Sequence, residues 1–119
     1  MATREEVQSF LSDFFQKMKI WEIRVRDDRG KNKQALYRLE ISPVQRLKVI
    51  ESLAVAEYSE GPGEDILNGG APQWVFGKVV KGQMIYIKIS VGLPARPVIC
   101  ISFHEAEYEM HLPFKGEQL

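Results

Sequence analysis

Two stretches near the C-terminal end decide the fold of this chain, Gln83-Met84-Ile85-Tyr86-Ile87-Lys88-Ile89-Ser90-Val91 and Pro97-Val98-Ile99-Cys100-Ile101-Ser102-Phe103-His104. Both alternate between aliphatic and other side chains. Residues two apart in a strand share a face. The first stretch is therefore predicted to be a strand whose isoleucines face one way and whose Tyr86 and Lys88 face the other way. Antiparallel pairing of the two stretches would bury both aliphatic faces in one core.

The second stretch divides its side chains in the same way. Strict alternation predicts a core-facing set that comprises Ile99, Ile101 and Phe103. The opposite set then comprises Cys100, Ser102 and His104. If the aliphatic faces share one core, His104 lies on the same sheet face as Tyr86 and Lys88. A phenol, an ammonium and an imidazole on one surface are candidate acid, base and electrostatic groups.

The composition bounds the class of protein. The chain has 119 residues and is 45% hydrophobic, which suits one globular domain with a small core, and we expect that domain to span residues 1–119. No apolar stretch approaches the ~20 residues that a membrane span needs, and the N-terminus lacks the apolar segment of a signal peptide. We therefore expect a soluble cytoplasmic protein with no membrane partner. Cys100 is the single cysteine, so the chain can form neither an internal disulfide nor a cysteine-based zinc site.

The charges are unevenly spread although the formal net charge is zero. Basic side chains outnumber acidic ones between Lys17 and Arg38, whereas the stretch from Glu51 to Asp65 carries acids and no base. Such asymmetry fits a polyanion-binding surface, and it also fits ordinary solvated faces. The charges alone do not decide between the two.

Local signals predict the order of the remaining elements. Thr3-Arg4-Glu5-Glu6 is a capping box that starts a helix running to about Met18, and alternation over 21–25 predicts a strand. A short helix follows around 35–39, and Ser42-Pro43-Val44-Gln45 starts another. Breaker segments at 60–64 and 68–72 enclose a predicted mobile acidic loop. The strand Gln73 to Val80 then pairs with the first alternating stretch. The fold class is α+β: an N-terminal helix, a strand, two helices, then an antiparallel three-stranded meander.

Several of these stretches resemble the motility quorum-sensing regulator (MqsR) family of bacterial toxins, which belongs to the wider RelE-like ribonuclease fold. The likeness covers roughly Asn32 to His104. Gly82-Gln83 followed by Tyr86-Ile87-Lys88-Ile89-Ser90-Val91 is similar to the family's penultimate strand. Ile101-Ser102-Phe103-His104 is similar to its last strand, which in the family ends Ser-Phe-Lys. The resemblance implies a RelE-like domain that cleaves messenger RNA without a metal or other cofactor and is neutralised by a cognate antitoxin.

The resemblance also assigns residues to roles. Tyr86 matches the family's active-site tyrosine, and His104 stands in the place of a catalytic lysine. The chain departs from the family at two other positions. The family's further active-site lysine falls near Ser59, and its glutamine falls near Val75, with Gln73 as an imperfect substitute. A non-catalytic RNA- or protein-binding domain on the same fold therefore stays open as an alternative, as does a small enzyme with another substrate.

Metal-free RNA cleavage requires a base for the 2′-hydroxyl, a cation for the phosphorane and an acid for the leaving 5′-oxygen. His104 is predicted to serve as acid or base, Lys88 to stabilise phosphate charge, and Tyr86 to contact the phosphate or stack on a base. The candidate RNA-binding side chains are Arg24, Arg26, Lys78 and Gln73. Each of these residues also has a plainer interpretation as an ordinary sheet or surface residue.

Overall fold

The computed structural model describes residues 1–64 and 70–116, and its helices and strands form an α+β fold. Helix α1 spans Arg4–Trp21, strand β1 Ile23–Val25, helix α2 Gly30–Leu39 and helix α3 Pro43–Glu51. A short 3-10 helix, Val55–Glu57, leads into β2, Tyr58–Gly63. The remaining strands are β3, Gln73–Val80, β4, Gln83–Ser90, and β5, Val98–Glu105. The α+β class is thereby confirmed.

Both predicted capping boxes start their helices. The Thr3 hydroxyl accepts the Glu6 N–H at 3.1 Å, and the Glu6 carboxylate accepts the Thr3 N–H at 2.8 Å. Ser42 and Gln45 make the same reciprocal pair at the start of α3. These bonds satisfy backbone donors that a helix start otherwise leaves open. Helix α1 continues past its predicted end to Trp21, so β1 is shorter than the alternating stretch.

One sheet contains the five described strands in the order β1-β5-β4-β3-β2. Strands β3, β4 and β5 form the predicted antiparallel meander, β1 adds to β5 in parallel, and β2 adds to β3 antiparallel. The predicted three-stranded layout is therefore too small. The break in structure predicted at 60–64 is wrong as far as Gly63. Strand β2 continues through the Gly-Pro-Gly sequence and pairs with β3 at the edge of the sheet, with shifts in register. The loop predicted beyond it, at 65–69, lies outside the described residues.

The core lies between the helices and one face of the sheet, which we call the core face. From α1 it buries Val7, Phe10, Leu11 and Phe14, and from β4 it buries Ile85, Ile87 and Ile89. The ring of Phe10 stacks on Trp74 of β3 with 4.4 Å between ring centroids. Helices α2 and α3 add Ala35 and Ile50 to the same cluster. The predicted aliphatic faces of α1 and β4 thus meet in one core.

A β-bulge between β4 and β5 changes which side chains of β5 reach the core face. Lys88 pairs with Ser102, but the next residue, Ile89, pairs with Cys100, so β5 carries one extra residue here. Because a one-residue slip moves side chains to the other face, Cys100 joins the core and Ile99 does not. The predicted orientations of Ile99 and Cys100 are therefore wrong. Burial raises the pKa of the Cys100 thiol to about 12, which makes this cysteine inert near neutral pH.

The segment after β5, residues 106–116, crosses the other sheet face and is called the strap. The N–H of Ala106 donates to the Met84 carbonyl at 2.9 Å, which extends the β4–β5 pairing into the strap. At its far end, Phe114 is buried and its ring stacks on Tyr58 with 5.7 Å between centroids. The strap is therefore anchored at both ends.

The middle of the strap fits closely over β2 and β3. The Ser59 hydroxyl donates to the His111 carbonyl at 2.8 Å. Gly77 leaves room for the strap, because a Cβ there would lie 3.0 Å from the Met110 sulfur. Contacts of this kind hold the strap against the sheet along its length, so that it can form one wall of a cleft.

Candidate functional site

A cleft of about 450 Å³ opens on the sheet face that carries Tyr86. Its floor consists of side chains from β4 and β5, namely Tyr86, Lys88, Ser102 and His104. One wall is the start of α2, residues 29–32, and the other wall is the strap, through Glu107 and Tyr108. Three separate parts of the chain therefore converge on one concave surface.

Tyr86 and His104 are direct neighbours on this floor. They are register partners across β4 and β5, and their rings stack with 5.4 Å between centroids and 12° between planes. The Lys88 ammonium lies 5.8 Å from the centroid of the Tyr86 ring. The structure thus brings together the phenol, imidazole and ammonium that alternation places on one face.

A backbone contact orients the imidazole of His104. Its Nδ1 lies 3.0 Å from the carbonyl oxygen of Glu105. Because a carbonyl can only accept a hydrogen bond, Nδ1 carries the proton of the neutral ring. Nε2 then keeps its lone pair. The neutral ring therefore accepts a proton at Nε2, and His104 is one of the residues that line the cleft.

Tyr86 has the opposite proton-transfer character. Burial raises the pKa of its phenol to about 12, with further contributions from the neighbouring Tyr108 phenol and from the charge of Glu60. The phenol therefore keeps its proton near neutral pH. Tyr86 can donate a hydrogen bond or a proton to a bound ligand, but it cannot act as the base.

Cationic side chains lie on the floor and on the α2 wall of the cleft. Across residues 1–64 and 70–116, neither Lys88 nor Arg29 has a carboxylate within ion-pair distance. Lys31, in the first turn of α2, pairs with Glu107 of the strap at 2.6 Å. No acidic residue occupies that first turn. The positive end of the helix dipole adds to this field, so the cleft favours an anionic ligand.

A buried amide holds the α2 wall in place. Asn32 is 1% exposed, and its Nδ2 donates to the carbonyls of Arg26 and Ile101, each at 2.9 Å. Its Oδ1 accepts the N–H of Phe103 at 3.0 Å. Strand β1 ends at Val25. Beyond that point, the side chain of Asn32 makes the hydrogen bonds to the β5 backbone that a neighbouring strand would otherwise make.

The two predicted arginines do not line the cleft. Arg24 pairs in register with Ile99 on the edge strand β1 and is exposed. The guanidinium of Arg26 makes paired hydrogen bonds to the Asp28 carboxylate at 2.9 Å and 2.8 Å. The nearby basic side chains that do reach the cleft are Arg29 and Lys31.

The other two predicted RNA-binding residues lie elsewhere. Lys78 shares the core face with its register partner Ile85, and its ammonium pairs with Glu57 at 2.5 Å. Gln73 begins β3, where it pairs with Gly63, and does not line the cleft. The structure therefore brings Tyr86, His104 and Lys88 together and leaves Arg24, Arg26, Lys78 and Gln73 outside.

Sequence reasoning missed the two walls of the cleft. Arg29 and Lys31 belong to the basic stretch that the charge pattern singled out, so a signal for them existed. No sequence signal marked Asn32 or Tyr108, because their positions depend on the docking of α2 and of the strap against the sheet.

Within the described residues, no group of three or more His, Cys, Asp or Glu side chains is placed to hold a metal ion. None of the described helices combines the length and apolar character that a membrane span requires. Comparison of the chain with protein families, with curated protein sequences and with solved structures finds no match.

Proposed function

We propose that this protein is the toxin of a bacterial type II toxin–antitoxin system and cleaves messenger RNA without a metal ion. The observation that carries the proposal is the juxtaposition of Tyr86, His104 and Lys88 on the floor of a cationic cleft. The resemblance of β4 and β5 to the MqsR family and its RelE-like fold supports the same conclusion. A cognate antitoxin is the protein partner that this proposal implies.

In the proposed reaction, His104 acts as the base and the 2′-hydroxyl of RNA as the nucleophile. Nε2 takes the hydroxyl proton, the 2′-oxygen bonds to phosphorus, and the bond from phosphorus to the 5′-oxygen breaks. Tyr86, which retains its proton, donates that proton to the leaving 5′-oxygen. The ammonium of Lys88 stabilises the charge that develops on the phosphate. The products are a 2′,3′-cyclic phosphate and a 5′-hydroxyl, and each proton transfer is worth about 10²–10⁴-fold in rate.

A non-catalytic RNA- or protein-binding domain is the second candidate. Two positions favour it, because the family's further lysine and its glutamine are absent here. Ser59 stands near the lysine position, and its hydroxyl is engaged by the His111 carbonyl of the strap. Val75 stands near the glutamine position and is buried beside its register partner Lys88. Such a domain would keep the cationic cleft and lose the chemistry.

Expression in a bacterial host distinguishes the two candidates. We expect growth arrest and fragmentation of messenger RNA when the unaltered protein is induced. The His104→Ala variant should relieve both, because loss of a proton-transfer group lowers the rate about 10²–10⁴-fold. His111→Ala is the matched control, since His111 is an exposed histidine outside the cleft. Tolerated expression with intact RNA, combined with RNA binding in vitro, would instead establish the non-catalytic domain.

The antitoxin part of the proposal has its own test. Co-expression of the small protein encoded beside this one should restore growth and co-purify with the toxin. Absence of any neutralising protein from the adjacent genes would contradict the assignment to a toxin–antitoxin pair, while leaving the cleavage reaction to be judged by the RNA assay.

A further inference from the structure

The strap delivers an exposed aromatic side chain to the cleft. Tyr108 is 58% exposed, and its ring stands edge-on to the Tyr86 ring with 6.2 Å between centroids. A single exposed aromatic residue is ordinary on a protein surface. Tyr108 differs because it lines the cleft in contact with the Tyr86 ring while much of its own ring stays uncovered.

The surroundings of Tyr108 select the kind of ligand that would cover it. Tyr86 and His104 stack on each other, so their mutual faces are already occupied. Arg29 and Lys88 line the same cleft and have no carboxylate partner in the described part of the chain. A ligand that satisfies both features carries a planar aromatic group and an anion a short distance apart. A nucleotide unit of a polynucleotide has this combination.

We infer that Tyr108 is the platform on which an unpaired base of single-stranded RNA stacks while the adjoining phosphate lies over Tyr86 and His104. The inference rests on the proposed function for the identity of the ligand, and it adds a specificity-determining residue that the proposed chemistry does not use. Bases in a duplex are stacked and paired, so only single-stranded RNA can place one on Tyr108. Stacking accepts every base, and therefore this contact selects strandedness rather than sequence.

The test measures binding without cleavage. A short fluorescent oligoribonucleotide with 2′-O-methyl groups throughout cannot undergo 2′-oxygen attack, and its affinity is measured by fluorescence anisotropy at fixed salt. Tyr108→Ala removes the ring, and Tyr108→Phe keeps the ring but removes the phenol hydroxyl. Tyr37→Ala is the matched control, because Tyr37 is a 73% exposed tyrosine on α2 that does not line the cleft. Circular dichroism verifies that each variant is folded.

We expect Tyr108→Ala to weaken binding by about 5- to 150-fold, as removal of one base-stacking ring does elsewhere. Tyr108→Phe and Tyr37→Ala should bind within about threefold of the unaltered protein. A duplex of the same sequence should bind equally to all four proteins.

Several outcomes would overturn the inference. Equal affinity of Tyr108→Ala and the unaltered protein would do so alone, even if the protein cleaves RNA. Strong dependence on Tyr108 in a protein that never cleaves RNA would support the inference and remove the proposed chemistry. Absence of any oligonucleotide binding by the unaltered protein would overturn both.

Discussion

Replacing Asn32 with leucine tests whether one buried amide holds the wall of the cleft against the sheet. The side chain is nearly isosteric with leucine, so the change removes hydrogen bonds while keeping most of the volume. Asn32 donates to the carbonyls of Arg26 and Ile101 and accepts from the N–H of Phe103. After the substitution, these backbone groups lose their partner.

The expected loss of stability follows from the burial of those groups. The bonds to Ile101 and Phe103 are buried, whereas the bond to Arg26 is only partly buried, so water can replace it. A buried polar group left without a partner costs about 1–3 kcal/mol. Two such groups give a loss of about 2–5 kcal/mol once the extra apolar burial of leucine is allowed for. That is a large fraction of the ~5–15 kcal/mol typical of a domain.

Urea unfolding followed by circular dichroism measures the effect. With an m-value of about 1–3 kcal/mol/M, the midpoint should fall by about 1 M or more at unchanged m. Gln34→Leu is the matched control, because Gln34 is an exposed amide on the same helix, and it should change the free energy of unfolding by less than about 0.5 kcal/mol.

The Asn32→Asp variant sharpens the test. Its carboxylate would direct lone pairs at two carbonyl oxygens, and burial raises the folded-state pKa of such a carboxyl above its unfolded value. The folded state then binds the proton more tightly, so the stability deficit should shrink as the pH falls. An Asn32→Leu midpoint equal to that of Gln34→Leu would refute the reasoning, as would an Asn32→Asp deficit that does not depend on pH.

Three further predictions address the charges of the molecule. Glu107→Gln removes the ion-pair partner of Lys31. If Lys31 then contacts one more phosphate, the slope of log K for binding of single-stranded RNA against log salt concentration should steepen by about 0.7. An unchanged slope would count against an electrostatic role for Lys31. The pKa of Tyr86 is raised to about 12 in the folded protein. As the pH rises, the unfolded chain therefore loses the phenol proton before the folded protein does, and the free energy of unfolding should fall between pH of about 10 and about 12. Tyr86→Phe should remove that part of the fall, and identical pH profiles for the two proteins would contradict the shift. Arg46 forms an ion pair with Asp27, and their side chains are 5% and 42% exposed. Asp27→Ala leaves the buried guanidinium without its partner and should destabilise the fold by about 1–3 kcal/mol. Arg46→Met should destabilise it less, and equal losses in urea unfolding would refute the asymmetry.

Features encoded by neighbouring residues could be predicted from the sequence. The capping boxes at Thr3 and Ser42 depend on side chains three residues apart, and both form. The β3–β4 hairpin and β5 follow from alternation and turn residues. These signals are local, so tertiary packing did not have to be known to interpret them.

Features that depend on pairing between distant segments could not be predicted in this way. The bulge that moves Cys100 into the core arises from the pairing of β5 with β4. Strand β2 forms within a Gly-Pro-Gly sequence because β3 offers an edge beside it. Local propensity argues against a strand there, and tertiary context overrides it.

The candidate site divides along the same line. Tyr86 and His104 share a face because each strand alternates on its side of the bulge, and the register then places them opposite one another. Asn32 and Tyr108 reach the cleft only through the docking of α2 and of the strap, which no short sequence pattern encodes. The floor of the cleft was therefore predictable, whereas of its walls only the positive charge of Arg29 and Lys31 had a signal in the sequence.

The most direct test of the central claim is the chemistry of the RNA ends that the purified protein produces in the presence of EDTA. The account predicts cleavage of single-stranded RNA with 2′,3′-cyclic phosphate and 5′-hydroxyl ends, reduced by about 10²–10⁴-fold in His104→Ala. It also predicts that Tyr86→Phe cleaves more slowly than the unaltered protein. Undiminished cleavage by both variants, or the absence of cleavage by the unaltered protein, would contradict the account.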